Sequence, residues 1–535
     1  MMRLTAYKEE QKSFLDKGYE LPRYDRSEMI AKTKAEPTWL HFGAGNIFRA
    51  FPAALLENML NNGETDRGVI VAEGFDYEII DKAYAPYDNL SLLAVLKADG
   101  TVQKKVIGSV AEALKGDPAS PDYDRLRQIF RSPSLQMVTF TITEKGYSLT
   151  GPDGNLSPIA KKDLSECGLN PILIMGKVTA LLYERFLAGA YPVAMSSMDN
   201  CSHNGDKLKA AVMTYAKTWE EQGIVKEGFT AYLSDPEKVT FPWSMIDKIT
   251  PRPDDAVKAM LTEDGFEDTD LIITSKNTYT APFVNAEETQ YLAVEDTFPA
   301  GRPALEKAGV LYADRETVDK IEKMKVCTCL NPLHTALAIY GCILGYTKIY
   351  EEMKDPELCG LITKMGYVEA MPVVVDPGIL KPSDFIGDVL TKRLPNPFMP
   401  DAPQRIATDT SQKLPIRFGE TLKAYRKNCL SFDSLTMIPL VLAGYARYLS
   451  GLSDDGEPFT QSADPMLDEL KKVTEGYTLG GNNDYSKLRA LYSREDVFGL
   501  NLYEVGLGEK IEGMVAELYA GKGAVRKTLK KYVNS

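Results

Sequence analysis

A glycine turn set between a strand and a helix constrains this chain more than any other stretch. Pro37-Thr38-Trp39-Leu40-His41-Phe42 reads as a buried strand. Gly43 and Gly45 follow at once, and Ala50 to Leu60 places Ala54, Leu55, Leu56, Met59 and Leu60 on or near one helical face. Strand, glycine turn, helix is the context that gives a dinucleotide fingerprint its meaning. Two glycines let the chain turn sharply and let a pyrophosphate approach backbone N–H groups at a helix N-terminus. Here the usual third glycine is Phe48, and Pro52 would disturb a helix begun at Gly45. The bare pattern therefore also fits an ordinary glycine turn.

The second strand, Gly68-Val69-Ile70-Val71-Ala72-Glu73, supports the dinucleotide reading. An acid ending that strand accepts hydrogen bonds from adenosine ribose hydroxyls and repels a 2′-phosphate. Glu73 is that acid, and Asp76 is the reserve. No arginine occurs between Arg67 and Arg125, which favours NAD over NADP. Met137 to Thr143 and Tyr191 to Ser197 are further strands, separated by helical patterns such as Ile172 to Leu187, so a mainly parallel α/β sheet is expected. From about residue 314 the pattern turns helical, with long runs at Asn331–Tyr346, Leu435–Leu449 and Pro465–Glu475. A Pro/Gly-rich passage, Phe298 to Pro303, shortly precedes that change. The expected organisation is an N-terminal extension (1 to about 36) plus a Rossmann-type α/β NAD-binding domain over 1–313, then a mostly α-helical substrate and catalytic domain over 314–535.

At 535 residues the chain is long enough for two cores. Its net charge of −13 argues against a general nucleic-acid binder, which needs a basic surface. The charged N-terminus, Met1 to Glu10, lacks the apolar centre of a signal peptide, and no stretch approaches the length of a membrane-spanning helix. A soluble cytoplasmic protein acting on a small molecule, as a monomer or small homo-oligomer, is expected. Seven cysteines without a secretory signal suggest reduced thiols, and the lone Cys327/Cys329 pair suggests core packing over metal binding.

Three histidines occur, each in a segment of polar groups suited to one reaction. His41 adjoins the glycine turn. His203 lies in Asp199-Asn200-Cys201-Ser202-His203-Asn204-Gly205, after a strand, where α/β enzymes place functional loops. Asp199, Cys201 and His203 alternate and could ligate a metal, although Asx-rich loops commonly satisfy their own backbone. The densest segment is Lys325-Val326-Cys327-Thr328-Cys329-Leu330-Asn331-Pro332-Leu333-His334. A proton-exchanging lysine, an oxygen-binding amide and an imidazole fit carbonyl/alcohol chemistry; a surface lysine, a capping asparagine and a core histidine are the bland alternative. On a straight helix at about 100° per residue, Lys325 and His334 lie roughly opposite one another. Pro332 lacks an N–H and clashes with the carbonyl of Thr328, so the helix must begin or bulge there. Asn331 as N-cap with Pro332 at the first helical position is the simplest arrangement. A third region, Lys392 to Arg417, carries five cations against Asp401 and Asp409. It suits a carboxylated substrate, because arginine holds a carboxylate through two parallel hydrogen bonds, or else it is a solvated surface.

Together these segments resemble the polyol-specific long-chain dehydrogenases, the mannitol dehydrogenase family, which includes fructuronate and tagaturonate reductases. The resemblance runs from about Trp39 to the C-terminus. It rests on His41 to Arg49, Thr141 to Tyr147, Asp199-Asn200 with His203 to Gly205, Phe241 to Pro251, and the lysine–asparagine–histidine segment. It implies a Rossmann-type N-terminal domain, a mostly helical C-terminal domain and metal-independent hydride transfer with NAD(P) in the cleft between them. Lys325 is implied as general acid or base, with Asn200 and Asn331 as hydrogen-bond donors to the reacting oxygen. His334, Arg405 and Lys413 would position substrate, and Asp247 would support proton exchange. Gly43, Gly45, Asn46, Ile47, Phe48, Arg49, Glu73 and Asp76 are the expected cofactor-binding residues. The family usually has four residues between this lysine and asparagine; here there are five, and a kink at Pro332 is the expected remedy. Asp199-Asn200, the basic cluster and the extension tilt the expectation toward interconversion of D-fructuronate and D-mannonate with NAD(H). Mannitol 2-dehydrogenase and tagaturonate reductase activities are close alternatives. A metal-dependent enzyme and a non-catalytic nucleotide-binding sensor are the readings from other classes.

Overall fold

Apolar runs such as Val69-Ile70-Val71-Ala72 need cover on both faces, and parallel strands sandwiched by helices provide it. In the computed structural model, which describes residues 1–535, these runs form the central sheet of the first of two units. That unit is Met1–Lys97 with Thr101–Asp319; the second is Ala98–Gly100 with Lys320–Ser535.

The central sheet has six strands: β1 (Trp39–Phe42), β2 (Val69–Glu73), β3 (Val110–Lys115), β4 (Met137–Phe140), β5 (Val193–Ser197) and β6 (Val239–Thr240). All neighbours are parallel, in the order β3-β2-β1-β4-β5-β6. This is the order of doubly wound dinucleotide-binding domains, and it reverses direction between β1 and β4. Alternate residues of β1 enter different cores. Leu40 and Phe42 join one cluster, with helices Asp122–Arg131, Ile174–Gly189 and Asn204–Glu221, and Trp39 joins the other, with helix Pro52–Asn61.

The first 36 residues are not a loose tail. Helices Gln11–Asp16 and Arg26–Ala35 flank a short strand, Tyr19–Glu20, that pairs with Val102–Ile107. Met2 bridges to Phe266, and the Leu4 N–H donates to Asp268 at 2.6 Å.

The second unit is helical. Helix Asn331–Leu344 packs on helix Met437–Leu449, all of whose residues are buried. They approach closely because Gly444 has no side chain: a Cβ there would lie 2.6 Å from Tyr340 Cζ. The expected helix over 465–475 is instead two short pieces, Leu467–Leu470 and the tighter 3₁₀ turn Lys471–Thr474. Four wide, π-helical turns occur in this unit: Lys325–Cys329, Met365–Ala370, Val389–Arg393 and Pro415–Gly419.

The first of these turns corrects an expectation. It joins its neighbours into one helix, Arg315–Leu344, long and apolar enough to cross a membrane, although 78% of its apolar window is buried in protein, as befits a core helix. All seven cysteines are free thiols.

Candidate active site

Gly43 and Gly45 lie at the carboxyl end of β1, beside the reversal of the sheet, where open α/β sheets bind ligands. Their requirements differ. Gly43 has φ +109°, and a Cβ would stand 2.2 Å from the Thr141 carbonyl oxygen at the end of β4. Only glycine fits there. Gly45 has an ordinary φ of −79°, and a Cβ on it would meet nothing within 4 Å. The fold leaves open space at that point, which is the cradle a pyrophosphate needs.

Helix Asn46–Ala50 follows, breaks at Phe51, and resumes as Pro52–Asn61 with Pro52 in its first turn. The proline thus interrupts the helix as its chemistry requires. Phe48 is buried and stacks on His41. Arg49 is also buried, its guanidinium donating to the Ala281 carbonyl (2.7 Å), Thr280 Oγ1 (2.7 Å) and Asn46 Oδ1 (2.8 Å). These two side chains fix the turn from behind. Ile47 and Asn46 are partly exposed beside it.

Glu73 ends β2 and reaches back to the same turn. Its carboxylate accepts from the Ala44 N–H at 2.9 Å, and from the N–H groups of Phe75 (2.9 Å) and Asp76 (3.2 Å). Burial raises its pKa, and the three donors oppose that shift. Asp76 is clasped by the Thr274 hydroxyl at 2.5 Å. Sequence reasoning missed one neighbour. Lys276, on the hairpin Ile272–Ile273/Tyr279–Thr280, lies 3.8 Å from the centre of the Phe75 ring and donates to the Phe75 carbonyl. A cation thus stands over the turn that follows Glu73 even though no arginine is near in sequence.

The loop after β5 organises protein backbone. The Asp199 carboxylate accepts from the N–H groups of Ile142 and Thr143, both at 2.9 Å, and from the Tyr147 hydroxyl at 2.5 Å. Asn204 binds the Asp199 carbonyl and both backbone and side chain of Ser244. That bond ties the loop to strand Ser244–Asp247, where Asp247 is buried. His203 stacks on Trp243 with ring centres 4.1 Å apart. Asp199, Cys201 and His203 form no cluster of metal donors. Asn200 is exposed at the tip.

His41 is a core residue. Its ring nitrogens meet Thr139 Oγ1 at 2.6 Å and Thr141 Oγ1 at 2.8 Å, and burial pushes its pKa down to about 3.

In the second unit the lysine–asparagine–histidine segment adopts the bulged alternative. The Leu330 N–H bonds to the Lys325 carbonyl, five residues back, at 3.1 Å. Asn331 is not the N-cap: Leu330, with φ −130° and ψ −63°, holds that position and Asn331 is the first residue of the helix that follows. A turn closed by an i to i+5 bond holds one more residue than an α-turn. Removing that residue from the count leaves Lys325 and His334 about 80° apart instead of opposite. The wide turn therefore has room for the one extra residue that the family resemblance implies between Lys325 and Asn331. Lys325 is buried at the start of the wide turn, and Cys329 packs in the core.

His334 is partly buried with its Nε2 fully withdrawn from water, and desolvation lowers its pKa to about 4. Its Nε2 has no hydrogen-bond partner; Asp401 Oδ2 is 3.6 Å away. Asp401 is already paired with Arg405, whose side chain is 61% exposed. Lys413 donates to the carbonyls of Ile406 (3.1 Å) and Thr408. Arg417, outside the expected set, donates to Thr335 Oγ1 at 2.5 Å.

A six-stranded doubly wound sheet, a glycine turn at its point of reversal and a buried acid ending β2 define a Rossmann-type dinucleotide-binding protein, and the open space at Gly45 leaves room for a pyrophosphate such as that of NAD. Comparison with known proteins narrows the class. Residues 37–307 match the mannitol dehydrogenase Rossmann domain, and residues 317–517 match the mannitol dehydrogenase C-terminal domain. The chain belongs to the mannitol dehydrogenase family and is an enzyme, a dehydrogenase of that family. It is 51% identical to the D-mannonate oxidoreductase of Thermotoga maritima over 96% of both chains. It is 28% identical to the D-mannonate oxidoreductase of Escherichia coli, over 85% of this chain and 87% of that one. A substrate-free D-sorbitol dehydrogenase structure superposes with a TM-score of 0.79 at 25% identity, covering 96% of this chain and 97% of that one. The Pseudomonas fluorescens mannitol 2-dehydrogenase superposes at 0.66, at 24% identity over 97% of both, and shares the fold.

Proposed function

We propose that this enzyme is a fructuronate reductase, interconverting D-fructuronate and D-mannonate with NAD(H) in the cytoplasm, as a monomer or small homo-oligomer. The likeness to the T. maritima D-mannonate oxidoreductase over nearly the whole chain carries the reading. The basic surroundings of His334 support a substrate bearing a carboxylate.

NADH, when bound, supplies the hydride that reduces the ketone. Gly43, Gly45, Asn46 and Ile47 would receive its pyrophosphate, with Phe48 and Arg49 bracing the turn. Glu73 would receive the adenosine ribose, with Asp76 in reserve. Lys325 gives a proton to the carbonyl oxygen during reduction and takes it back during oxidation. Asn200 and Asn331 donate hydrogen bonds to that oxygen as negative charge develops. Asp247 supports the lysine's proton exchange, and His334, Arg405 and Lys413 orient the sugar acid. No metal takes part in this scheme.

A panel of D-fructuronate, D-tagaturonate and D-fructose with NADH tests the reading. The highest kcat/KM is expected for D-fructuronate. A preference for fructose would make the enzyme a mannitol 2-dehydrogenase, and a preference for tagaturonate would make it a tagaturonate reductase.

A further inference from the structure

The basic stretch of the second unit contains cations of unequal availability. Lys392 pairs with Asp388 at 2.7 Å, and Arg405 pairs with Asp401 from an exposed position. Lys413 is held by two backbone carbonyls. Arg417 is different. Its side chain is largely withdrawn from water yet forms no ion pair, and its bond to the Thr335 hydroxyl occupies one donor of five. A partly buried guanidinium without an anion keeps donors free for one, and an arriving carboxylate would pair with them.

Its position is set by the site itself. Thr335 donates in turn to the Asn331 carbonyl at 2.9 Å, so Arg417 is anchored to the helical turn that carries Asn331 and His334. Its own wide turn, Pro415–Gly419, packs against the wide turn Lys325–Cys329. Nearby, the buried Nε2 of His334 lacks a partner.

We infer that Arg417 holds the carboxylate of the sugar-acid substrate and sets the preference for sugar acids over neutral polyols. This rests on the fructuronate reading and deepens it. Arg405 and Lys413, the cations that the family resemblance points to, then contact the sugar's hydroxyls or frame the pocket.

The test compares wild type, Arg417→Met and Arg417→Lys in kcat/KM for D-fructuronate and for neutral D-fructose. Dissociation constants for D-mannonate and D-mannitol, measured by calorimetry with NADH present, give the same comparison without turnover. Loss of a charge-assisted bidentate contact predicts a ~10- to 100-fold fall for the acids in Arg417→Met, with partial recovery in Arg417→Lys. The neutral sugars should lose less than about threefold, showing that the site remains folded. An equal loss on acids and neutral sugars, or no loss, overturns the inference and leaves the proposed function standing. A wild-type enzyme that neither binds mannonate nor reduces fructuronate overturns both.

Discussion

The three histidines have separate fates, though each marked a polar segment in the sequence. His203 stacks on Trp243, and His334 stands among cations, whereas His41 is spent on two threonine hydroxyls inside the sheet. Burial holds His41 at about 3 and His334 at about 4, below the ~6.5 of an unfolded chain. Because the folded values are lower, the unfolded chain binds protons first as the pH falls. The stability tied to neutral imidazole is complete above about pH 6.5 and is lost on acidification toward pH 3 to 4, at roughly 1.4 kcal/mol per pH unit per histidine. Urea midpoints from pH 7 to pH 4 should fall accordingly, and His41→Gln should flatten the slope by one histidine's share; an unchanged slope would remove His41 from this account. Lys325 carries a catalytic prediction. Lys325→Ala should lower kcat by ~10²-fold or more while the NADH dissociation constant, read by fluorescence titration, stays near wild type. A near-normal kcat would assign the proton transfer to another group.

At the scale of single elements, the glycine turn separates folding from binding. Gly43→Ala should cost several kcal/mol, because it combines a positive φ with a Cβ 2.2 Å from a carbonyl oxygen, and should yield little soluble protein. Gly45→Ala should melt within a few degrees of wild type, since its Cβ meets only open space, but raise the KM for NADH ~10-fold or more. An unchanged KM would mean that no cofactor passes Gly45. NADH should outperform NADPH, and Glu73→Ser should narrow the gap in kcat/KM. Since Glu73 also anchors the Ala44 N–H, the same variant should weaken NADH binding, and Lys276 should temper the repulsion of a 2′-phosphate. The strands β1, β2, β4 and β5 were legible because unbroken apolar runs next to turn residues have few other solutions. By contrast, β3 reads Val110-Ala111-Glu112-Ala113-Leu114-Lys115, with polar residues facing partly outward, and β6 is two residues long, so neither left a clear pattern. Lys276 was hidden for a different reason. Some two hundred residues separate it from Phe75, and only the hairpin joins them.

Across the whole molecule, the N-terminal segment is part of the first unit. Removing residues 1–24 would strip the edge strand Tyr19–Glu20 and the Met2–Phe266 bridge. The truncated protein should melt several degrees lower in calorimetry, and an unchanged melting temperature would show that these contacts contribute nothing net. The broad division into a parallel α/β part and a helical part followed from the change in periodicity near residue 314. The wide turns were harder to foresee. Pro332 announced a disturbance at Lys325–Cys329 without choosing between a helix start and a bulge, and Pro372, which stands in the same relation to Met365–Ala370, was a signal left unread. The turn at Lys325 also bears on how such chains are aligned. An insertion inside a helix ordinarily rotates everything after it by about 100°, so gaps there are heavily penalised. Here the wide turn holds one residue more than an α-turn would, so a one-residue insertion at this point need not turn the surface that follows. On the proposed roles, an alignment of this family that allows one gap between Lys325 and Asn331 is expected to superpose equivalent atoms, whereas a gapless one is expected to pair the lysine of one chain with a neighbour that faces elsewhere.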